Sequence, residues 1–366
     1  MAKTRSMTRN HIHDSSRKRF KTHDNADVAP WSILNNDVLL LVMMQLGVVD
    51  FLSFSRVCKS WRSFALSNRN NFMSSRPPMF ISISHDANNK NYCTMRDLEQ
   101  KKFKTILSNS AHVTCYGLTC GYLIIFGNER HDFWLVNPIT RHELHFPRSP
   151  FYTLSHPSIV KGILVFLPSI SRWAFVISYR FTTKISYFIK GNRGWNHVSS
   201  TLPILDLHAF KGKIYTIHAD CCLCEMRLNP KPKLKLLETK NFQKPDLKRP
   251  EFVTSGEKLY IMNRSNLFGD PNANKVLELD FGEMKWVSLE KTIEEYAFFL
   301  SNFNYSAAIK KESSAWADPR TQSKIRDYFL DERYLDPDKT RPDMFFYARM
   351  WYFSHDCFSV DLIDEC

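Results

Sequence analysis

Residues 31–65 read WSILNNDVLLLVMMQLGVVDFLSFSRVCKSWRSFA, and the spacing predicts three short helices. Asn35 and Asn36 can accept the unpaired N–H groups of a first turn, Asp37 sits where the helix dipole favours an anion, and Gly47 is the expected left-handed stop after Leu46. Asp50 can cap the next helix. Val38, Leu39, Val42, Met43 and Leu46 form one broad apolar stripe, and a second runs from Leu52 through Ser55 and Arg56 to Val57 and Trp61. About 35 residues cannot bury that much apolar surface alone, so a partner or another part of the chain must cover it.

Outward from this stretch the texture changes. Residues 1–30 carry seven Lys/Arg against three Asp and almost no large apolar side chains, which predicts a disordered basic tail. Arg17, Lys18, Arg19 and Lys21 within it are a candidate nuclear-import cluster, the alternative being a merely solvated tail. On the other side, the helical module is expected over 31–70, a linker over 71–78 ending in Arg76-Pro77-Pro78, and a separate β domain over 79–366.

In that domain the apolar period drops to two, as in MFISIS (79–84), KFKTIL (102–107), GYLIIFG (121–127) and FWLVNP (133–138). A Gly-led strand recurs at Gly121, Gly162, Gly212 and Gly256, at intervals of 41, 50 and 44 residues. Several strands per period of that length predict a β-propeller of roughly six or seven blades. An open ring would expose two sheet edges, so strands from 344–362 are expected to complete a blade with strands from 79–96.

The helical stretch resembles an F-box. That family pattern has an opening Leu-Pro, an acidic residue, paired aliphatics, an Asp at helix two, and a Val-Cys-Lys-x-Trp-Arg run. Here the places are taken by Leu34, Asp37, Val38 and Leu39, Val42 and Leu46, Asp50, and then Val57, Cys58, Lys59, Trp61 and Arg62. The sequence departs from the pattern at Asn35, where the Pro would stand. The β domain resembles the KIB-type β-propeller of plant F-box proteins, through CGYLII with FWLVNPITRHELHFP, LDLHAFKGKIYTI, FVTSGEKLYIMNR and KVLELDFGEMKWVSL in that order. It departs between Asn302 and Asp343, where an irregular blade and a helix near 322–330 are expected.

The resemblance implies the substrate receptor of an SCF-type cullin ubiquitin ligase, in the nucleus, the cytoplasm or both. It would dock a Skp-family adaptor, and through it a cullin, by Leu34, Val38, Leu39, Val42, Leu46, Val57, Cys58 and Trp61, some of which must instead pack the module's interior. The propeller would hold an unidentified protein for ubiquitination. The competing reading is a basic propeller scaffold for nucleic acid or an acidic protein, since residues 227–250 carry eight Lys/Arg against two acids in a chain of net charge +13. Lys231, Lys233 and Lys235 alternate with Pro232, Leu234 and Leu236, which better suits protection of an outermost strand edge than a phosphate grip.

Other chemistry finds little support. No apolar run approaches the ~18 residues of a membrane span, no secretory leader is recognisable, and nine scattered Cys suit a reducing compartment. Cys221, Cys222 and Cys224 with Cys115 and Cys120 are the one thiol cluster that invites a metal. Strand alternation points Cys221 and Cys224 to opposite faces, so buried structural thiols are expected instead. His142, Glu143 and His145 lack metalloprotease spacing, and no nucleophile elbow, phosphate loop or carboxylate pair is present. The expectation is a non-enzyme with no cofactor and no metal.

Overall fold

The computed structural model describes residues 31, 34–85, 90–97, 102–108, 113–149, 151, 159–240, 250–263, 276–289, 296–301, 306–310, 345–348 and 350–353. The candidate import cluster and the expected helix near 322–330 lie outside the described residues.

Three helices come first: α1 (Asn36–Gln45), α2 (Val48–Phe54) and α3 (Lys59–Ser74). Asn35 caps α1 by accepting the Asp37 N–H at 3.2 Å. Gly47 is not the left-handed stop that its type suggests: at φ −75° it opens α2 as the N-cap, because Leu46 has already turned to extended backbone. Asp50 accordingly lies in the first turn of α2 and does not cap it. Cys58 caps α3, its sulfur accepting the Trp61 N–H at 3.5 Å. Helix α3 continues to Ser74, past the polar residues that suggested an earlier end, and the Pro-Pro pair delivers the chain into the first strand.

The strands form six blade units among the described residues. Five are four-stranded. The second unit is β4 (Val113–Thr119), β5 (Tyr122–Gly127), β6 (Asp132–Val136) and β7 (Glu143–Arg148), paired antiparallel in sequence order. The third is β8 (Val160–Leu167), β9 (Arg172–Tyr179), β10 (Thr182–Ile189) and the first half of β11 (Asn196–Phe210). Strand β11 then crosses a register break near Pro203, which offers no N–H to a ladder, and its second half begins the fourth unit with β12 (Lys213–His218), β13 (Leu223–Arg227) and β14 (Lys233–Leu237). The fifth is β15 (Pro250–Ser255), β16 (Lys258–Asn263), β17 (Val276–Asp280) and β18 (Lys285–Ser288). The sixth is irregular: β19 (Tyr296–Ser301) pairs antiparallel with β20 (Ala307–Lys310) and parallel with β21 (Phe345–Ala348).

The first unit closes the ring. Strands β1 (Met79–His85), β2 (Asn91–Arg96) and β3 (Lys102–Ser108) supply its outer part, and β22 (Trp351–Tyr352) pairs with β1 through Met79↔Tyr352 and Phe80↔Trp351. Strand β22 takes the innermost place, where Trp351 is 0% exposed. Its ring meets Phe299 edge-on at 5.2 Å, and its backbone N–H donates to Ser301 Oγ at 3.1 Å.

The glycine repeat has two physical origins. Lys211 and Gly212 both take positive φ in the two-residue β11–β12 turn, and a side chain at 212 would press on Pro168 at 3.0 Å. Gly162 is different. It lies inside β8, where a Cβ would meet Ile124 at 2.8 Å, so it marks close approach between blades, and the third unit's equivalent turn is 168–171. Among the described residues no helix is long and apolar enough to cross a membrane.

Closure by so short a pair makes Trp351 a sensitive position. Trp351→Ala should lower the unfolding free energy by about 3–5 kcal/mol, read from urea denaturation followed by fluorescence. A loss below about 1 kcal/mol would show that the ring does not depend on this strand.

Candidate functional site: docking helices and the propeller axis

Helix α1 is apolar around most of its circumference, and the fold uses only part of it. Leu39 and Met43, one turn apart, are buried with Phe51, Phe54, Ala65 and Phe72, and Phe51 stacks on Phe72 at 4.5 Å. That cluster does not stop at the helices. It continues without a break into Met79, Ile81 and Met95 of the closing blade, Leu123 and Ile125 of the second blade, and Met350 and Tyr352 from the chain's far end. Arg76 fastens the junction, donating to the Met44 carbonyl while its guanidinium lies 4.6 Å over the Phe72 ring. The chain itself therefore covers half of the apolar stripe that the sequence left uncovered.

This geometry divides the eight candidate docking residues. Leu39, at 2% exposure, is interior and cannot touch a partner, because its spacing from Met43 aims both at the shared core. Leu34, Leu46 and Trp61 are half-buried against that core. Trp61 lies 4.6 Å from the Phe54 ring and donates its indole N–H to the Trp31 carbonyl at 2.9 Å. Cys58 is a half-buried cap. Val38 and Val42 are exposed on α1, and Val57, in the turn between α2 and α3, is 57% exposed. Three further exposed apolar residues, Trp31, Leu41 and Leu66, escaped the sequence reading, and Leu41 is the most open at 68%. The available signal was the unbroken apolar run from Val38 to Met44, which no single buried face can use up.

A polar constellation lies where the first strands of neighbouring blades approach. Asp206 of β11 accepts from Lys161 of β8 at 3.1 Å and from the Phe252 backbone N–H of β15 at 2.7 Å. Arg180, in the β9–β10 turn, stands 3.7 Å from Asp206 and is paired with Glu251 of β15. Two cations and two anions thus join three blades, and all four are buried or nearly so. The attraction of Glu251 and Asp206 outweighs burial and raises the Arg180 pKa. His208 beside them is driven down to about 3, by burial first and then by Lys161, and stays neutral. The sequence signal was a lone charge in an apolar strand, as in VKGILVFL and ILDLHAF.

The remaining candidates separate. Cys221 is in a turn at φ 67°, Cys224 is on β13, and Cys115 and Cys120 belong to the second blade, where the Cys120 thiol donates to the Leu164 carbonyl at 3.2 Å. Burial pushes the Cys115 thiol up to about 12. His142 is 3.0 Å from Tyr122 Oη, and His145 pairs with exposed Glu143 at 3.2 Å. Among the described residues no group of three or more His, Cys, Asp or Glu is placed to hold a metal. Strand β14 is the last of its sheet with Lys233 and Lys235 exposed, the arrangement expected of edge protection.

Comparison with known families matches the F-box domain to residues 31–73 and the KIB1-4 beta-propeller to residues 90–335. The chain belongs to the KIB1-4 β-propeller family. In this family member the propeller follows an F-box, as the sequence resemblance implied. F-box domains generally bind Skp-family adaptors, and the two domains together are typical of adaptor or receptor proteins. No curated protein matches this chain. Solved structures similar to it include a nidogen/laminin complex (11% identity, 64% of this chain and 85% of that chain, TM-score 0.34). Others are YCF48 bound to D1 peptide (10%, 62% and 72%, 0.34) and apo AztD from Citrobacter koseri (13%, 62% and 62%, 0.34).

The buried histidine makes a pH prediction. A native pKa held below the unfolded value means that the unfolded chain gains a proton the fold refuses, so the stability is complete above about pH 6.5 and is lost as pH falls toward about 3. Between about pH 7 and about pH 5 the His208→Gln variant should lose about 2 kcal/mol less than the parent protein. Equal losses in urea titrations at the two pH values would mean that His208 is protonated in the fold.

Proposed function

We propose that this protein is the substrate receptor of an SCF-type cullin ubiquitin ligase, acting in the nucleus, the cytoplasm or both. The observation that carries the reading is the surplus apolar surface of α1: after Leu39 and Met43 have filled the core, Val38, Leu41 and Val42 remain exposed within a segment that matches the F-box. Burying each such side chain in an interface is worth roughly 1.5–3 kcal/mol, enough for a few of them to anchor an adaptor. Val57 and Trp61 extend the candidate surface to the start of α3. Leu34 and Leu46 hold it from beneath.

On this reading the protein breaks no bonds. The adaptor joins it to a cullin, the propeller holds the protein to be modified, and the rate gain comes from raising the local concentration of that protein near the charged ubiquitin carrier. Support comes from the match to two domains typical of receptors and from a helix face that the fold leaves unused.

Val42→Asp should leave stability within about 0.5 kcal/mol, because the site is on the surface, and should weaken capture of a purified Skp-family adaptor by roughly 30-fold, the effect of losing about 2 kcal/mol at a hot spot. Unchanged capture would remove the adaptor reading. Asn35 offers a second test. Its φ of −58° already suits proline, so Asn35→Pro should bind the adaptor as tightly as the parent protein or more so, and weaker binding in a biosensor titration would mean that the helix is differently registered against its partner.

A further inference from the structure

One row of the fourth blade breaks the usual rule of cross-strand pairing. Arg227 of β13 stands directly opposite Lys233 of β14. The register Ile214↔Met226, carried one residue on, sets Lys213 of β12 on the other side of Arg227. Three cations therefore take adjacent places on three neighbouring strands, within about 10 Å of backbone. Like charges directly opposite one another destabilise a sheet. The next row on the same face is Tyr215, Glu225 and Lys235, so a single carboxylate answers four cations. A chain that breaks a local pairing rule in this way does so where binding requires it.

Strand alternation turns this face toward the fifth blade, since Tyr215 and Leu223 on it belong to the core shared with Phe252 and Trp286. Lys213, Lys233 and Lys235 are exposed. The carboxylate among them is already taken, because Arg227 donates to both Glu225 oxygens at 2.9 and 3.2 Å. Burial alone would raise the Glu225 pKa, but the Arg227 hydrogen bonds, with Lys213, Arg227 and Lys235 around it, hold it below its ordinary value. At one end of the row Phe281 of the fifth blade, 36% exposed, stacks on Phe210 at 5.6 Å. Acids bound the patch at this end: Glu257 pairs with Lys211, and exposed Glu283 lies two residues after Phe281. The excess charge is compact, fitted to one dianionic group, and does not extend into a track for a nucleic-acid backbone.

We propose that the row of Lys213, Arg227 and Lys233 is a docking site for a phosphorylated side chain in an exposed segment of a partner protein. A phosphoryl group carries about −1.5 to −2 charge at pH 7 and three acceptor oxygens. It balances the charge that Glu225 leaves uncompensated and accepts from both lysines while Arg227 stays on Glu225. Charge complementarity thus selects the occupant, and the exposed Phe281 ring offers a neighbouring residue of the segment an apolar contact. The inference rests on the receptor reading in one respect: the segment would belong to the protein delivered for ubiquitination, and delivery would wait on its phosphorylation.

The test uses the full-length protein and fluorescein-labelled peptide pools, degenerate around a fixed phosphoserine or phosphothreonine, read by fluorescence anisotropy. Controls are the unphosphorylated pools and a single-stranded oligonucleotide of mixed sequence. Saturable binding of the phosphorylated pools alone is expected, weakened about tenfold or more by Lys213→Gln and likewise by Lys233→Gln. Each change also removes a repulsion within the row, so each should raise the urea midpoint at low salt and leave it unaltered at high salt. A lowered midpoint would mean that the row is not repulsive and would remove the premise. Absence of saturable binding, or equal binding by both variants and parent, overturns the proposal. Tighter binding of the oligonucleotide than of the phosphorylated pools, lost in the same variants, overturns it in favour of nucleic acid. Adaptor capture on the same preparations separates the two readings. Capture without phosphopeptide binding overturns the row alone, whereas phosphopeptide binding sensitive to both variants without capture supports the row and overturns the receptor assignment.

Discussion

The ring is held shut by the pairing of Met79 and Phe80 with Tyr352 and Trp351, and the other features of the protein depend on it. An open propeller would leave two sheet edges unpaired and would separate the apolar side chains that now meet across the closing blade. The same pairing brings Met350 and Tyr352 into the core that already contains Met79, Ile81 and the buried sides of all three helices. Folding of the helical module and closure of the ring therefore draw on one hydrophobic cluster. A receptor gains from this arrangement, because a docking module anchored in the ring presents a held substrate at a defined place.

A different physics governs the axis. First strands of adjacent blades approach one another without a continuous ladder, so their polar groups must find side-chain partners. Thr119 Oγ1 accepts the Leu164 N–H at 2.8 Å, Asp206 accepts that of Phe252, and Ser301 accepts that of Trp351. Lys161, Arg180, Asp206 and Glu251 add charge balance to the same function. Such a network need not stabilise the fold more than apolar packing would, but loss of one member strands the rest without solvent. It joins the third, fourth and fifth blades.

Much of this was legible from residue type and spacing. The helices, the strand period, the blade repeat and the terminal closure follow from apolar periodicity and from the cost of open edges, both of which act locally or on any sheet. What escaped the sequence were the choices made by tertiary contact. Leu39 and Val42 are equivalent in type and spacing, and only the position of the closing blade decides that one is interior and the other exposed. Gly47 could stop one helix or start the next, and the extended backbone of Leu46 decides for the second. Gly162 matched the repeat by letter while serving a close approach instead of a turn.

The central claim is that the unused face of the helical module is covered by an adaptor while its other face stays committed to the ring. Hydrogen–deuterium exchange of the full-length protein, alone and saturated with a purified Skp-family adaptor, addresses both halves at once. The account predicts slowed exchange in α1 and at the start of α3 with β1 and β22 unchanged. Exchange in α1 unaffected by the adaptor, or loss of protection in β1 and β22 on binding, would contradict it.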